Sequence, residues 1–137
     1  LVSVACEIPE AQQVPAVAAA LVDGVMAMID DVTPRAVVAF TSGGFSARLL
    51  SKRRPPVPIV ALAPREDVVH RCNLYYACRP FPAPPVESTD DIFRAADRLL
   101  TQRELAAPGD TVIIVAGLPF ATPGTMNLIH VHQVTGS

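Results

Sequence analysis

Short apolar segments alternate along this chain with longer segments in which apolar residues recur every three or four positions. Three unbroken apolar runs, at residues 36–40, 58–62 and 111–116, are too short for helices and predict buried strands. Residues 74–81 and 128–134 predict two further strands. The helical spacing of apolar residues predicts helices over four other segments, which are residues 14–29, 45–53, 66–73 and 88–103.

This alternation of strands and helices indicates the α/β class. We expect a three-layer sandwich, in which a five-stranded, mostly parallel sheet with one antiparallel edge strand carries helices on both faces. The antiparallel edge is expected because a loop of about ten residues between the last two strands is short for a parallel crossover. Asp30, Asp31 and Pro34 indicate the end of the first helix. Residues 1–13 are interpreted as an extended, linker-like lead-in to a single domain over residues 1–137.

The composition favours one globular domain and excludes several classes of protein. Half of the 137 residues are hydrophobic and 18% are charged, which is too apolar for a disordered chain. A net charge of −2 argues against a nucleic-acid partner, and no apolar run reaches the ~18–20 residues that cross a membrane. Cys6, Cys72 and Cys78 form no Cys-x-x-Cys pair, so we interpret them as reduced thiols of a cytoplasmic protein. The absence of an initial Met suggests a trimmed or excised piece.

One segment combines glycines and hydroxyls where a predicted strand passes into a helix. It consists of Thr41, Ser42, Gly43, Gly44, Phe45 and Ser46. Backbone N–H groups at a helix start carry partial positive charge, glycines allow close approach and hydroxyls add donors, so the segment suits a phosphate. One alternative is a strand–helix turn without a ligand. Another makes Ser46 the nucleophile of a Gly-x-Ser-x-Gly elbow, but Arg48 stands at the position of the second glycine.

A second candidate binding loop follows the predicted strand at residues 111–116. Its candidate residues are Gly117, Pro119, Thr122, Gly124 and Thr125. Because parallel strands bring both loops to one edge of the sheet, this loop is interpreted as a ligand lid or as a long irregular hairpin. His130 and His132 could share a metal ion, but no third ligand is evident, so we interpret them as polar residues of an edge strand. We assign no metal ligand and no catalytic residue to the chain.

Motifs in a fixed order occur in two separated stretches of the chain. Residues 36–48 contain an apolar strand followed by Thr-Ser-Gly-Gly-Phe-Ser-Ala, which differs at one position from the pattern Thr-x-Ser/Thr-Gly-x-Ser-Ala. Residues 51–61 contain Ser-x-x-Arg-Pro-x-x-Pro-Ile. Residues 117–131 follow the pattern Gly-x-Pro-x-x-x-Pro-Gly-Thr-x-Asn-x-x-x-Val. Together these motifs closely resemble the carboxyl-terminal domain of pyruvate kinases, with the last pattern typical of bacterial members. The resemblance runs from about Val14 to Val134.

The resemblance implies a regulatory domain of a glycolytic enzyme. In this family a separate barrel domain transfers phosphate from phosphoenolpyruvate to ADP with Mg²⁺ and K⁺. The carboxyl-terminal domain binds a phosphorylated allosteric effector and builds a tetramer interface. The resemblance therefore implies phosphate contacts from residues 41–46 and closure by residues 117–127, with no cofactor in this domain. The expected partners are a phosphorylated sugar or nucleotide and further copies of the chain, while this piece alone is not expected to catalyse the reaction.

Two departures from the family's pattern bear on the effector. Gly43 stands where many members have Ser or Thr, and Phe45 replaces a frequent Arg. Both changes favour a monophosphate, or no effector, over a sugar bisphosphate. Two alternatives therefore stay open, namely an oligomerisation domain without a ligand and a free-standing relative of the pyruvate kinase domain.

Overall fold

The computed structural model describes the backbone of residues 3–5 and the whole of residues 18–84, 86–117 and 128–135. The strands in these segments are β1 (Ser3–Ala5), β2 (Val37–Phe40), β3 (Ile59–Ala63), β4 (Cys78–Pro82), β5 (Thr111–Ala116) and β6 (Leu128–Gln133). The helices are α1 (Ala18–Val32), α2 (Phe45–Lys52), α3 (Glu66–Cys72) and α4 (Thr89–Gln102).

The described strands form one sheet in the order β1-β6-β5-β2-β3-β4. β5, β2, β3 and β4 run parallel, and β6 is antiparallel to β5. The predicted α/β class is confirmed, and all five predicted strands are present. Beyond them lies β1, which pairs antiparallel with β6 through Ser3 and His130, so β6 is not the outermost strand. Three residues in the expected lead-in are too few to show a strand pattern, which is why the sequence did not predict β1.

Helices cover both faces of the sheet, as expected. On one face, Ile92 and Leu100 of α4 pack in a core cluster with residues of β2, β3 and β5. On the other, Val25 of α1 and Leu50 of α2 pack against the same strands, and Val68 of α3 packs beside them. Because both faces are covered, β2, β3 and β5 are buried almost throughout and read as unbroken apolar runs. None of the described helices has the length and hydropathy of a membrane span.

β4 forms the other outer edge of the sheet and contains two prolines. Ala77 C=O and Ala83 N–H, on either side of β4, both bond to β3. Since bonding alternates along a strand, Pro80 and Pro82 occupy positions whose N–H would point away from β3. The inner ladder is therefore undisturbed, while the outer side lacks two donors that another strand would need.

The first helix ends between the two signals that were predicted to mark its end, the acidic pair and Pro34. It continues through Asp30 and Asp31 to Val32. Thr33 N–H still donates to Ile29 C=O at 3.1 Å, and only Thr33 itself adopts a left-handed φ of 47° ahead of Pro34. The restriction that proline places on the preceding residue thus decides the end, and the two acidic residues do not. The predicted start, residues 14–17, lies outside the described residues.

The fourth strand starts later than predicted, at Cys78 and not at residue 74. Tyr75 N–H donates to Cys72 C=O, and Cys78 N–H donates to Tyr75 C=O, so the chain turns twice before it becomes extended. Ala77 has a left-handed φ of 58° at the last of these turns. The apolar and aromatic residues of this stretch give a strand-like composition, but local backbone bonds override it.

Candidate phosphate-binding site

The predicted phosphate-binding loop follows β2 at the point where the order of strands reverses. From β2 the chain moves through β3 to β4, and it then crosses with α4 to β5 on the opposite side of β2. The carboxyl ends of β2 and β5 are neighbours, because Ala39 is paired with Val115. Open α/β sheets bind ligands at such a reversal, between the loops that leave the two adjacent strands. Thr41 and Gly117 directly follow these two strands and therefore lie at this position.

Two hydrogen bonds hold the peptide group between Gly43 and Gly44. The Gly44 N–H donates to Thr41 Oγ1 at 2.7 Å, and the Gly43 C=O accepts from Arg71 Nη1 at 3.0 Å. Because these groups are the two opposite ends of one planar unit, the orientation of the peptide is fixed. Gly44 adopts a φ of 87°, which favours glycine and turns the chain into α2. The Gly44 amide is thus engaged inside the loop.

The first turn of α2 presents unused backbone donors. Arg48 N–H donates to Gly44 C=O at 3.0 Å and closes the first helical turn. The N–H groups of Phe45, Ser46 and Ala47 have no hydrogen-bond partner among the residues that the structure describes, and Gly44 has no side chain with which to cap them. Free N–H groups at this end of a helix carry partial positive charge, about half an elementary charge in total. The first turn of α2 therefore has three backbone donors for which the described residues supply no acceptor.

The Ser46 hydroxyl adds a further donor. The residue is only 2% exposed, and within the described part of the chain its Oγ has no hydrogen-bond partner. A buried hydroxyl without a partner costs about 1–3 kcal/mol, so a ligand oxygen or a water molecule is expected to complement it. Thr41 is also buried, and because its oxygen only accepts from Gly44, its hydrogen is available to a ligand. In the described residues no histidine bonds to Ser46, which removes the activation that the nucleophile interpretation needs.

The remaining predicted site residues fall into two groups. Ser42, Gly43 and Phe45 are half-buried at the loop, and Gly117 is half-buried at the end of β5. The lid residues outside the described part of the chain stay predictions, and they are Pro119, Thr122, Gly124 and Thr125. The chain leaves β5 at Ala116 and enters β6 at Leu128, and these two residues are paired. Both ends of the predicted lid therefore lie at the carboxyl ends of the parallel strands, where the phosphate-binding loop also lies, as the parallel order predicted.

Arg71 is a contact of the loop that the sequence did not reveal. It lies 28 positions from Gly43, on a helix with acidic residues in its first turn and basic residues in its last turn. A basic residue near the end of α3 is usually explained by the helix dipole. Only the packing of α3 beside the loop brings its guanidinium to the Gly43 carbonyl.

His130 and His132 are buried, which corrects their interpretation as polar residues of an edge strand. β1 covers the side of β6 that was expected to be free, and Phe93 stacks on both rings, at 4.2 and 5.3 Å between centroids. His132 Nε2 lies 2.8 Å from Asp97 Oδ1. Desolvation, and then the neighbouring His132, lower the pKa of His130. In the described segments no three His, Cys, Asp or Glu side chains are grouped to hold a metal ion.

Comparisons with known proteins agree with the motifs and the fold. The family model described as the alpha/beta domain of pyruvate kinase matches residues 19–132. The pyruvate kinase of Lactobacillus delbrueckii subsp. bulgaricus is 35% identical over 118 residues, which are 86% of this chain and 20% of that protein. The pyruvate kinase of Corynebacterium glutamicum is 37% identical over 98 residues, or 72% of this chain and 21% of that protein. The chain spans about a fifth of the length of these relatives. It belongs to the family of pyruvate kinase alpha/beta domains.

Proposed function

We propose that this domain binds a phosphorylated effector at the loop between β2 and α2 and regulates a pyruvate kinase. The observation that carries the proposal is the set of donors in the first turn of α2 that have no acceptor among the described residues. It comprises three backbone N–H groups and the buried hydroxyl of Ser46. A phosphate group supplies several acceptor oxygens and negative charge, and therefore complements both the unpaired donors and the helix dipole.

The proposed effector is a monophosphate of a sugar or nucleotide. Each donor in this set lies on one loop and one helical turn, which suits a single phosphate. Gly43 contributes no hydroxyl and Phe45 no charge, so the loop itself provides little for a second phosphate. The lid residues Thr122 and Thr125 are proposed to close over the sugar or base, because their segment starts and ends beside the loop.

The effector is proposed to act through the packing of subunits. Contact of the lid with the effector would favour one arrangement of the domains, with a coupling free energy of about 1–3 kcal/mol. The parent enzyme is proposed to transfer phosphate from phosphoenolpyruvate to ADP in the cytoplasm, with Mg²⁺ and K⁺ held by its separate barrel domain. Association into a tetramer stays a prediction, which sedimentation of the full chain would test. Pairing through the edge of β4 is disfavoured by Pro80 and Pro82.

Titration calorimetry of the full chain tests the binding site. The probes are inorganic phosphate, glucose 6-phosphate, fructose 1,6-bisphosphate and AMP. We expect heat with at least one monophosphate, and loss of this heat in the double variant Thr41→Ala/Ser46→Ala. The control is Thr89→Ala/Thr101→Ala, which removes two hydroxyls from α4 on the opposite face of the sheet.

Two results would contradict the proposal. Silence of the unaltered chain across all four probes would favour an oligomerisation domain without a ligand. Equal affinity in the unaltered chain and in the Thr41/Ser46 double variant would place the phosphate elsewhere on the domain.

A further inference from the structure

We infer that Arg71 is a specificity-determining residue of the phosphate site, and that it makes the site prefer dianionic phosphomonoesters over monoanionic phosphodiesters. The inference rests on the proposed function, because it assigns a role at the same loop. It concerns a residue of α3, which belongs neither to the motif of the loop nor to α2.

The first argument is the position of the guanidinium. Arg71 Nη1 donates to the Gly43 C=O at 3.0 Å, so a full positive charge lies at the loop whose next residues carry the free N–H groups of α2. Helix N-termini supply only partial charges, and these distinguish weakly between one and two negative charges. A guanidinium in contact with the loop adds a charge-assisted donor, whose attraction grows with the charge of the ligand.

The second argument is the number of donors that Arg71 has left. A guanidinium carries five N–H donors in a planar fork, and the bond to Gly43 uses one. Arg71 Nη2 lies 3.8 Å from Asp67 Oδ2, which is too far for a hydrogen bond. Within the described residues the other donors are therefore not committed to a protein acceptor. The side chain is about half exposed, so a ligand can reach it.

The third argument concerns Asp67, the nearby carboxylate that could neutralise Arg71. Arg65 holds this carboxylate with two hydrogen bonds, from Nε at 3.0 Å and from Nη2 at 2.6 Å. Paired guanidinium–carboxylate contacts of this kind are the strong ones, so Asp67 is matched chiefly with Arg65. Asp67 therefore neutralises Arg71 only in part, through the longer ion pair at 3.8 Å, and the remaining charge of Arg71 acts on the loop. Glu66 and His70, the other acidic and basic side chains of α3, interact with each other at 3.5 Å on its exposed side.

A role of Arg71 in ligand binding has to be separated from a role in holding the loop. Arg71 fixes the peptide between Gly43 and Gly44, so its removal could loosen the site for every anion. A structural role would weaken a dianion and a monoanion by the same factor. A direct contact with the ligand would weaken the dianion more.

The experiment measures the affinity of the full chain for phenyl phosphate and for methyl phenyl phosphate at pH 8. The first probe is then a dianion, because the second pKa of a phosphomonoester is about 6, and the second probe stays a monoanion. The variants are Arg71→Gln, Arg71→Lys and the control Arg98→Gln, which removes an exposed charge from α4 on the opposite face. The Thr41→Ala/Ser46→Ala variant reports whether the probes occupy the loop.

We expect Arg71→Gln to weaken the binding of phenyl phosphate about tenfold, after allowance for solvent screening at a half-exposed site. The diester should lose less than half of that factor, Arg71→Lys should keep the preference for the dianion, and Arg98→Gln should change neither affinity.

Equal losses for both probes in Arg71→Gln would overturn the inference in favour of a structural role. Unchanged affinity of Arg71→Gln for phenyl phosphate would overturn the inference outright. If the Thr41→Ala/Ser46→Ala variant then still lost affinity, the proposed phosphate site would stand without a role for Arg71. If the unaltered chain binds neither probe, the inference fails. The proposed function fails with it only if the four probes of the calorimetry are silent as well.

Discussion

Replacement of Asp97 by Asn should unfold this domain at a much lower concentration of urea. Asp97 is 4% exposed and lies on α4, where its carboxylate accepts three hydrogen bonds. The donors are His132 Nε2 at 2.8 Å, Thr135 N–H at 3.2 Å and Thr135 Oγ1 at 2.7 Å. Together these bonds join the end of β6 to the helix on that face of the sheet.

The magnitude follows from the change in these three bonds. Asn has the shape of Asp but carries no charge, and one of its two polar atoms is a donor. If the Asn oxygen takes the place of Oδ1 and its NH2 group donates to the Thr135 hydroxyl, all three bonds persist. Each would lose its charge assistance, at about 1 kcal/mol. We therefore expect a loss of about 3 kcal/mol, a large part of the roughly 5–15 kcal/mol that stabilises a typical domain.

The assay is urea unfolding of the full chain, followed by circular dichroism. With a slope of about 2 kcal/mol per molar urea, the midpoint should fall by about 1.5 M. Asp30→Asn is the matched control, because Asp30 is exposed on α1 and no hydrogen bond of its carboxylate occurs in the described residues. A double-mutant cycle with His132→Gln should show a coupling free energy of at least about 0.5 kcal/mol.

A midpoint for Asp97→Asn that equals that of Asp30→Asn would refute this reasoning. It would mean that the desolvation of the carboxylate offsets its three hydrogen bonds, as happens for some buried charges. Zero coupling with His132 would show that the contact at 2.8 Å does not stabilise the fold.

Three further outcomes are expected from the same structure. Gly44→Ala should cost about 1–2 kcal/mol in urea unfolding, because its φ is 87° although a Cβ would have room, whereas Gly24→Ala within α1 should stabilise by about 0.5–1 kcal/mol. The pKa of His130 is lowered in the folded chain, so the unfolded chain binds a proton that the folded chain does not, and stability should fall as the pH drops below about 6.5. His130→Gln should flatten this dependence of stability on pH. An unchanged dependence in the variant would show that His130 is not its source. The Cys72 thiol is buried and raises the pKa of Cys78 through a hydrogen bond. Iodoacetamide should therefore label Cys72 and Cys78 far more slowly in the folded chain than in urea. Equal labelling rates would show that the segment around these two residues opens in the folded chain.

The strands and helices of this domain were largely predictable from local pattern. β2, β3 and β5 are buried on both faces, and the apolar runs that this requires are visible without any structure. The start of β4, which was predicted too early, depends on the backbone bonds of Tyr75. Such bonds compete with composition over one or two residues, which is too short a distance for periodicity to register.

The candidate site was predictable in part for a different reason. Its glycines and hydroxyls are adjacent in sequence, because one loop and one helical turn supply them all. The burial of His130 and His132 was not predictable, since it depends on β1 and Phe93, which are distant in sequence.

The sequence alone thus determined the α/β class, the family resemblance and the residues of the loop after β2. Tertiary structure alone decided that β5 returns beside β2, that the lid starts next to the loop, and that Arg71 contacts Gly43. The physical reason is the range of the interactions involved. Apolar periodicity and helix termini act over a few residues, whereas strand order and the charge beside the loop depend on packing between segments that the sequence keeps far apart.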